Sequence, residues 1–142
     1  FIHGQLTTHL RGLKVSIYAM PFTAMLGKVS KGTFQLNLTS WSMDFADPSQ
    51  SLTILTSDSN SNMGHYQSKA DDQAMQAADG PDALNATKRY QDLVQAAKTA
   101  LTDQAVTPLY EGRSHLLVKS HLKGVIYNNF SGAANYRTAY VK

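Results

Sequence analysis

The sequence predicts an α/β fold, a mixed sheet flanked by helices, in a chain of 142 residues. Three observations carry this expectation. Two stretches, Lys14–Met20 and Thr33–Ser40, alternate apolar and polar residues as strands do. Each follows a helical pattern with a short joint, and that order favours parallel neighbours with helices packed on them. A long amphipathic pattern from about Asp82 to Asp103 adds a further helix.

The elements follow in order. Gln5 to Leu10 reads as the tail of a helix, with Leu6 and Leu10 one turn apart and Arg11-Gly12 as its stop. In Lys14–Met20, Val15, Ile17 and Ala19 share one face. Pro21 opens a short helix carrying Phe22, Met25, Leu26 and Val29, which Lys31-Gly32 closes. In Thr33–Ser40, Phe34, Leu36 and Leu38 share one face. Asp47-Pro48 reads as a helix N-cap with Pro in the first turn, and Gln50 is placed to complete a capping box. The short helix that follows carries Leu52, Ile54 and Leu55. Ser57 to Asn62 is a polar loop. A helix around Ala70 to Ala78 ends at Asp79-Gly80-Pro81. On the long helix, Tyr90, Leu93, Val94, Ala97 and Leu101 form the expected buried stripe. Val106 to Val118 reads as one or two strands, kinked near Glu111-Gly112, and the tail after His121 alternates loosely.

Composition narrows the function classes. Hydrophobic residues at 42% and charged residues at 16% suit a globular chain and argue against disorder. The net charge of +3 comes from scattered Lys and Arg rather than a tract, so solvated faces are expected and no nucleic-acid partner. Cysteine is absent, which excludes disulfides, Cys-based zinc sites and thiol catalysis. No apolar run approaches the ~20 residues a membrane helix needs. The start, Phe1-Ile2-His3, has no signal-peptide pattern and no Met, and suggests a processed product, a proteolytic remnant or a designed piece.

Motifs for chemistry are weak. His3, His9, His65, His115 and His121 show no metal-ligand spacing, and the HExxH and GxSxG patterns are absent. The glycines, among them Gly124 and Gly132, are isolated and form no phosphate cradle. Sequons begin at Asn37, Asn85 and Asn129, but such triplets arise easily by chance. No enzyme, catalytic residue, metal or cofactor is therefore expected.

The segment from Gly32 to Tyr66, GTFQLNLTSWSMDFADPSQSLTILTSDSNSNMGHY, stands apart. It resembles the C-terminal lobe of oligopeptide- and dipeptide-binding proteins, the substrate-binding components of ABC importers. Trp41, Asp44, Phe45, Pro48, Asn60, Asn62 and Tyr66 occupy the positions that carry the resemblance. It extends upstream through Leu10-Arg11-Gly12-Leu13-Lys14-Val15. Downstream it continues through Arg89 to Asp103, Val106-Thr107-Pro108-Leu109-Tyr110, Leu116 to Lys119, Lys123-Gly124 and Asn135 to Tyr140. No single motif is diagnostic; their order and spacing over the whole chain carry the likeness.

The resemblance implies a lobe of the type II periplasmic-binding-protein kind. Residues 1–142 would form a single C-terminal lobe fragment of a larger two-lobed protein, with the tail from about 120 to 142 crossing toward the other lobe. The partners implied are an oligopeptide and the membrane subunits of an ABC importer. The place implied is extracytoplasmic, either periplasmic or lipid-anchored through a segment before Phe1. The strand edge Thr39-Ser40-Trp41-Ser42 would hold the peptide backbone, as strand addition does. Asp44 would hold the α-ammonium, and Trp41 would wall the cleft. Asp44 has no evident structural duty, because Asp47 is the better placed cap.

The likeness has departures. Ser40 stands where the family has Gly before the Trp. No base occupies Gln35 to Leu38 to meet a peptide carboxylate, so a fixed peptide length is not implied. Two alternatives remain at this level. One is a ligand-free structural or interaction domain reusing the lobe. The other is a binder of a metal chelate, haem or a sugar.

Overall fold

The computed structural model describes residues 1–113, 115–127 and 134–142. The sequon at Asn129 and the isolated Gly132 lie outside the described residues. The chain divides into two compact units, Phe1–Phe34 and Gln35–Lys142.

In the first unit, helix α1 spans Ile2–His9 and helix α2 spans Phe22–Val29. Gly12 and Gly32 follow them at φ of 82° and 63°, a left-handed conformation that favours glycine, so both expected stops hold. Val29 is buried, whereas Phe22 is exposed. A ring nitrogen of His3 bonds the Val15 carbonyl at 3.2 Å. Lys14–Met20 is not a strand: it has no ladder partner among the described residues, and Ile17 and Tyr18 are exposed. Alternation marks a chain fit for pairing, but the pairing itself needs a neighbouring strand.

The second unit is built on three helices. Helix α3 spans Ser49–Leu52 and runs into a 3₁₀ turn at Thr53–Leu55. Helix α4 spans Lys69–Asp79, and its first turn is capped by Ser68, whose side chain accepts the Asp71 amide. Helix α5 spans Ala86–Thr102 and is capped by Asn85, which accepts the Lys88 amide. It thus starts at Asn85 rather than near Asp82, because Asn85 supplies the cap. The core lies between α4 and α5: Ala74, Met75 and Ala78 on one, Leu93 and Ala96 on the other, with Leu52 packed against them.

This corrects the expected stripe on α5. Tyr90 and Leu101 are exposed, while Leu93, Ala96 and Ala100 are buried. Small side chains at the seam let two helices approach closely, so alanines fill the contact that size alone would give to Tyr90.

The strand pattern of Thr33–Ser40 is also corrected. Gln35–Ser40 is unpaired among the described residues, with a bend at Gln35 and Leu36 and Leu38 exposed. The described parts of Val106 to Val118 are likewise unpaired. The sheet seen is a two-stranded antiparallel one, β1 at Leu122–Lys123 with β2 at Tyr140–Val141, rather than parallel neighbours. An isolated bridge joins Ile126 to Asn135 nearby. Gly124 turns beside it at φ of 69°, and a β-carbon there would strike the Thr138 carbonyl. Among the described residues no helix is long and apolar enough to cross a membrane.

Asp71 is the anomaly of this unit. It is 1% exposed, and neither carboxylate oxygen has a hydrogen-bond partner among the described residues. Burial pushes its pKa up, and the charges of Asp72 and Asp103 add to the rise. Ionising Asp71 therefore costs stability in the folded chain. The cost is present above its folded pKa and is relieved as the pH falls through that value toward the ordinary 3.8. Asp71→Asn is expected to raise the thermal midpoint at neutral pH, since it removes the charge that burial disfavours. The gain should shrink on acidification, which melting curves across pH will show.

Candidate functional site

The residues from Thr39 to Asp44 lead from the unpaired stretch toward α3. Thr39, Ser40, Trp41, Ser42 and Asp44 are all exposed, Trp41 at 44%. Among the described residues, the backbone of Thr39 to Ser42 makes no hydrogen bond. Its N–H and C=O groups are thus unpaired among the described residues.

Two bonds tie this segment down, and both end on Gln50. The Trp41 indole N–H donates to the Gln50 carbonyl at 3.2 Å. The Asp44 amide N–H donates to Gln50 Oε1 at 2.9 Å. The Asp44 carboxylate itself has no partner among the described residues. The site thus holds a carboxylate fixed at its backbone and open at its oxygens, and an exposed indole three residues earlier in the chain.

The expected capping box is corrected here. Gln50 does reach back to a backbone amide, but to that of Asp44 and not of Asp47. The Asp47 amide is already taken by the Phe45 carbonyl at 2.9 Å. The capping role of Asp47 holds, since its Oδ1 accepts the Ser49 amide at 2.9 Å.

Asp47 has a second task that the local pattern did not show. Its two oxygens accept from both terminal nitrogens of Arg89 on α5, at 2.9 and 3.0 Å. This bidentate pair joins α5 to the start of α3. Asp79, at the end of α4, adds a longer contact to Arg89 at 3.7 Å. The Arg89 hydrogen bonds hold the Asp47 carboxyl well below the usual carboxylate range, helped by Ser49. A separation of 42 residues hides such a pair from any local reading. The one signal was an Arg at a helix position next to the buried stripe.

The pair carries a pH signature. Its stabilisation is fully present above the ordinary aspartate value of 3.8, and is lost as the pH falls through the lower folded value. Arg89→Met is therefore expected to lower the melting midpoint at neutral pH. The gap to the unaltered chain should close as the pH drops below about 4. Parallel melts at neutral and acid pH check this.

Beyond α3, Asn62 organises the polar loop. Its amide nitrogen donates to the Thr56 and Tyr66 carbonyls at 3.1 and 2.7 Å, and its oxygen accepts the Tyr66 amide at 3.1 Å. The Tyr66 hydroxyl donates to Asp103 at 2.6 Å. Asn62 and Tyr66, which carried part of the resemblance, thus have structural work in this unit. Asn60 is exposed.

No family model matches the chain. The dipeptide-binding protein of Lactococcus lactis is 28% identical over the whole chain, which covers 26% of that relative. The periplasmic murein peptide-binding protein MppA of Escherichia coli is 28% identical over 92% of the chain and 24% of its own length. Among solved structures, the substrate-binding domain of an oligopeptide ABC transporter from Bacillus anthracis is 30% identical. It superposes with a TM-score of 0.83 over 99% of the chain and 27% of that structure. The α/β lobe of peptide-binding proteins read from the sequence is borne out by these likenesses. The chain spans about a quarter of the length of the proteins it matches.

Proposed function

From a chain similar over its full length to a quarter of peptide-binding proteins, we propose the function of an oligopeptide-binding lobe in the substrate-binding component of an ABC importer. The observation that carries this reading is the conjunction at Thr39–Asp44. A stretch with no backbone hydrogen bond ends within four residues of a carboxylate that has no partner among the described residues.

An importer of varied peptides must grip what peptides share. The edge from Thr39 to Ser42 offers main-chain groups to a peptide backbone, the chemistry of strand addition. The Asp44 carboxylate faces the peptide's α-ammonium. Trp41 walls the cleft and strengthens the pair by keeping water from it. The chain acts as a lobe of a longer two-lobed protein, and its tail from about 120 to 142 runs toward the other lobe. The relatives support an extracytoplasmic place and importer membrane subunits as partners.

Peptide titrations of the 142-residue chain and of the longest natural chain carrying it test this reading. Binding is expected to be roughly millimolar for the first and micromolar or tighter for the second, since one lobe buries only part of the peptide. Equal affinities would contradict closure of two lobes on the ligand.

A further inference from the structure

We infer that Gln50 is the positioning residue of this site, setting Asp44 and Trp41 toward a ligand's ammonium group from a single point behind them. The inference rests on the peptide-binding reading and adds to it a residue placed behind the ligand groups.

The geometry is specific. Gln50 is half-buried, and its Oε1 accepts the Asp44 amide at 2.9 Å while its carbonyl accepts the Trp41 indole at 3.2 Å. A bond to the amide of Asp44 restrains the peptide plane that precedes its α-carbon. That restraint limits the directions in which the carboxylate can point, yet leaves its oxygens open. Among the described residues, the segment Trp41–Asp44 has no other hydrogen bond. Gln50 is itself seated: its amide donates to the Asp47 carbonyl at 3.1 Å, and Asp47 is gripped by Arg89 of α5. Charge and wall are thus hung on one residue, which is anchored through Asp47 to the longest helix.

A simple capping role does not account for Gln50. Its side chain serves none of the α3 amides, and the Asp47 amide it was placed to meet is bonded to Phe45. Preorganisation does account for it. A carboxylate already aimed at the ligand loses less freedom on binding, so more of the ion pair's free energy appears as affinity.

The test uses Gln50→Met, which keeps the length and loses the acceptor, and Gln50→Glu, which keeps an acceptor oxygen. Trp41 is the chain's one tryptophan, so its fluorescence reports this site alone. At a temperature where all variants are folded, Gln50→Met keeps the backbone carbonyl that accepts the Trp41 indole, so acrylamide quenching of Trp41 is expected to stay unchanged and checks that the segment is intact. In the longest natural chain, the affinity ratio of a peptide with a free over an acetylated amino terminus is expected to fall about tenfold in Gln50→Met. Gln50→Glu should retain the ratio. An unchanged ratio in Gln50→Met, with Trp41 quenching likewise unchanged, would overturn the inference and leave the peptide reading standing. A protein with unaltered Gln50 that ignores acetylation would overturn the peptide reading, and the inference with it.

Discussion

Asp44→Asn, in the longest natural chain that contains this segment, is expected to weaken the binding of free peptides by about 1.5–3 kcal/mol, or roughly tenfold to a hundredfold. The amide keeps the shape and the backbone bond to Gln50, so the fold should be unchanged. What it removes is the negative charge. The ammonium then loses a charge-assisted bond and must still leave water to enter the cleft. Peptides with a blocked amino terminus have no ammonium to lose and should bind both proteins alike. Calorimetric titration of the pair separates the two effects. Asp44 is exposed and has no partner among the described residues, so its substitution should leave the melting midpoint close to that of the unaltered chain.

Leu93→Ala is expected to have the largest effect on stability, a loss of about 2–5 kcal/mol. Leu93 is 3% exposed and is the large α5 side chain in the seam with α4. Around it stand Ala74, Ala78 and Ala96, which are too small to fill the space that Leu93 leaves. Chemical denaturation of the 142-residue chain measures the loss. Because α5 also carries Arg89, a loosened α4–α5 seam should be felt at α3 and at the Gln50 anchor. Tyr90→Ala, one turn away but exposed, should cost far less.

The contrast between Leu93 and Tyr90 shows what the sequence can and cannot disclose. The position of the long helix followed from periodicity, and Asn85 and Ser68 announced two helix starts through their side chains. The buried face of α5 followed only in part: Leu93 is buried and Val94 and Ala97 are half-buried, but Ala96 and Ala100 take the places expected of Tyr90 and Leu101. Alanines at a helix seam look neutral in a hydrophobic pattern. Strands fared worse for a related reason. Residues 14–20 and 33–40 have the alternation of strands, but a strand exists only when a neighbour completes its ladder. Within the described residues no neighbour does.

In the proposed site, the residues expected to meet a ligand were legible and their support was not. Trp41 and Asp44 stood out through their likeness to a known pattern, and Asp44 further because Asp47 had taken the capping task. Gln50 was visible as a residue that reaches back to a backbone amide, yet its partner depended on which amide was free. Arg89 was beyond reach, since its bond to Asp47 spans 42 residues. Asp71 is hidden for the opposite reason. Nothing in a helix's first turn hints that an acid there is buried without a partner, because that position ordinarily favours negative charge.

The central claim is that the site grips a peptide by its amino terminus. The most direct test is calorimetric titration of the longest natural chain carrying residues 1–142, with one mid-length peptide in free and in acetylated form. Binding of the free form that exceeds the acetylated by roughly tenfold or more is the predicted result. Equal binding of the two forms would contradict the role of Asp44 and point to another class of ligand on the same fold.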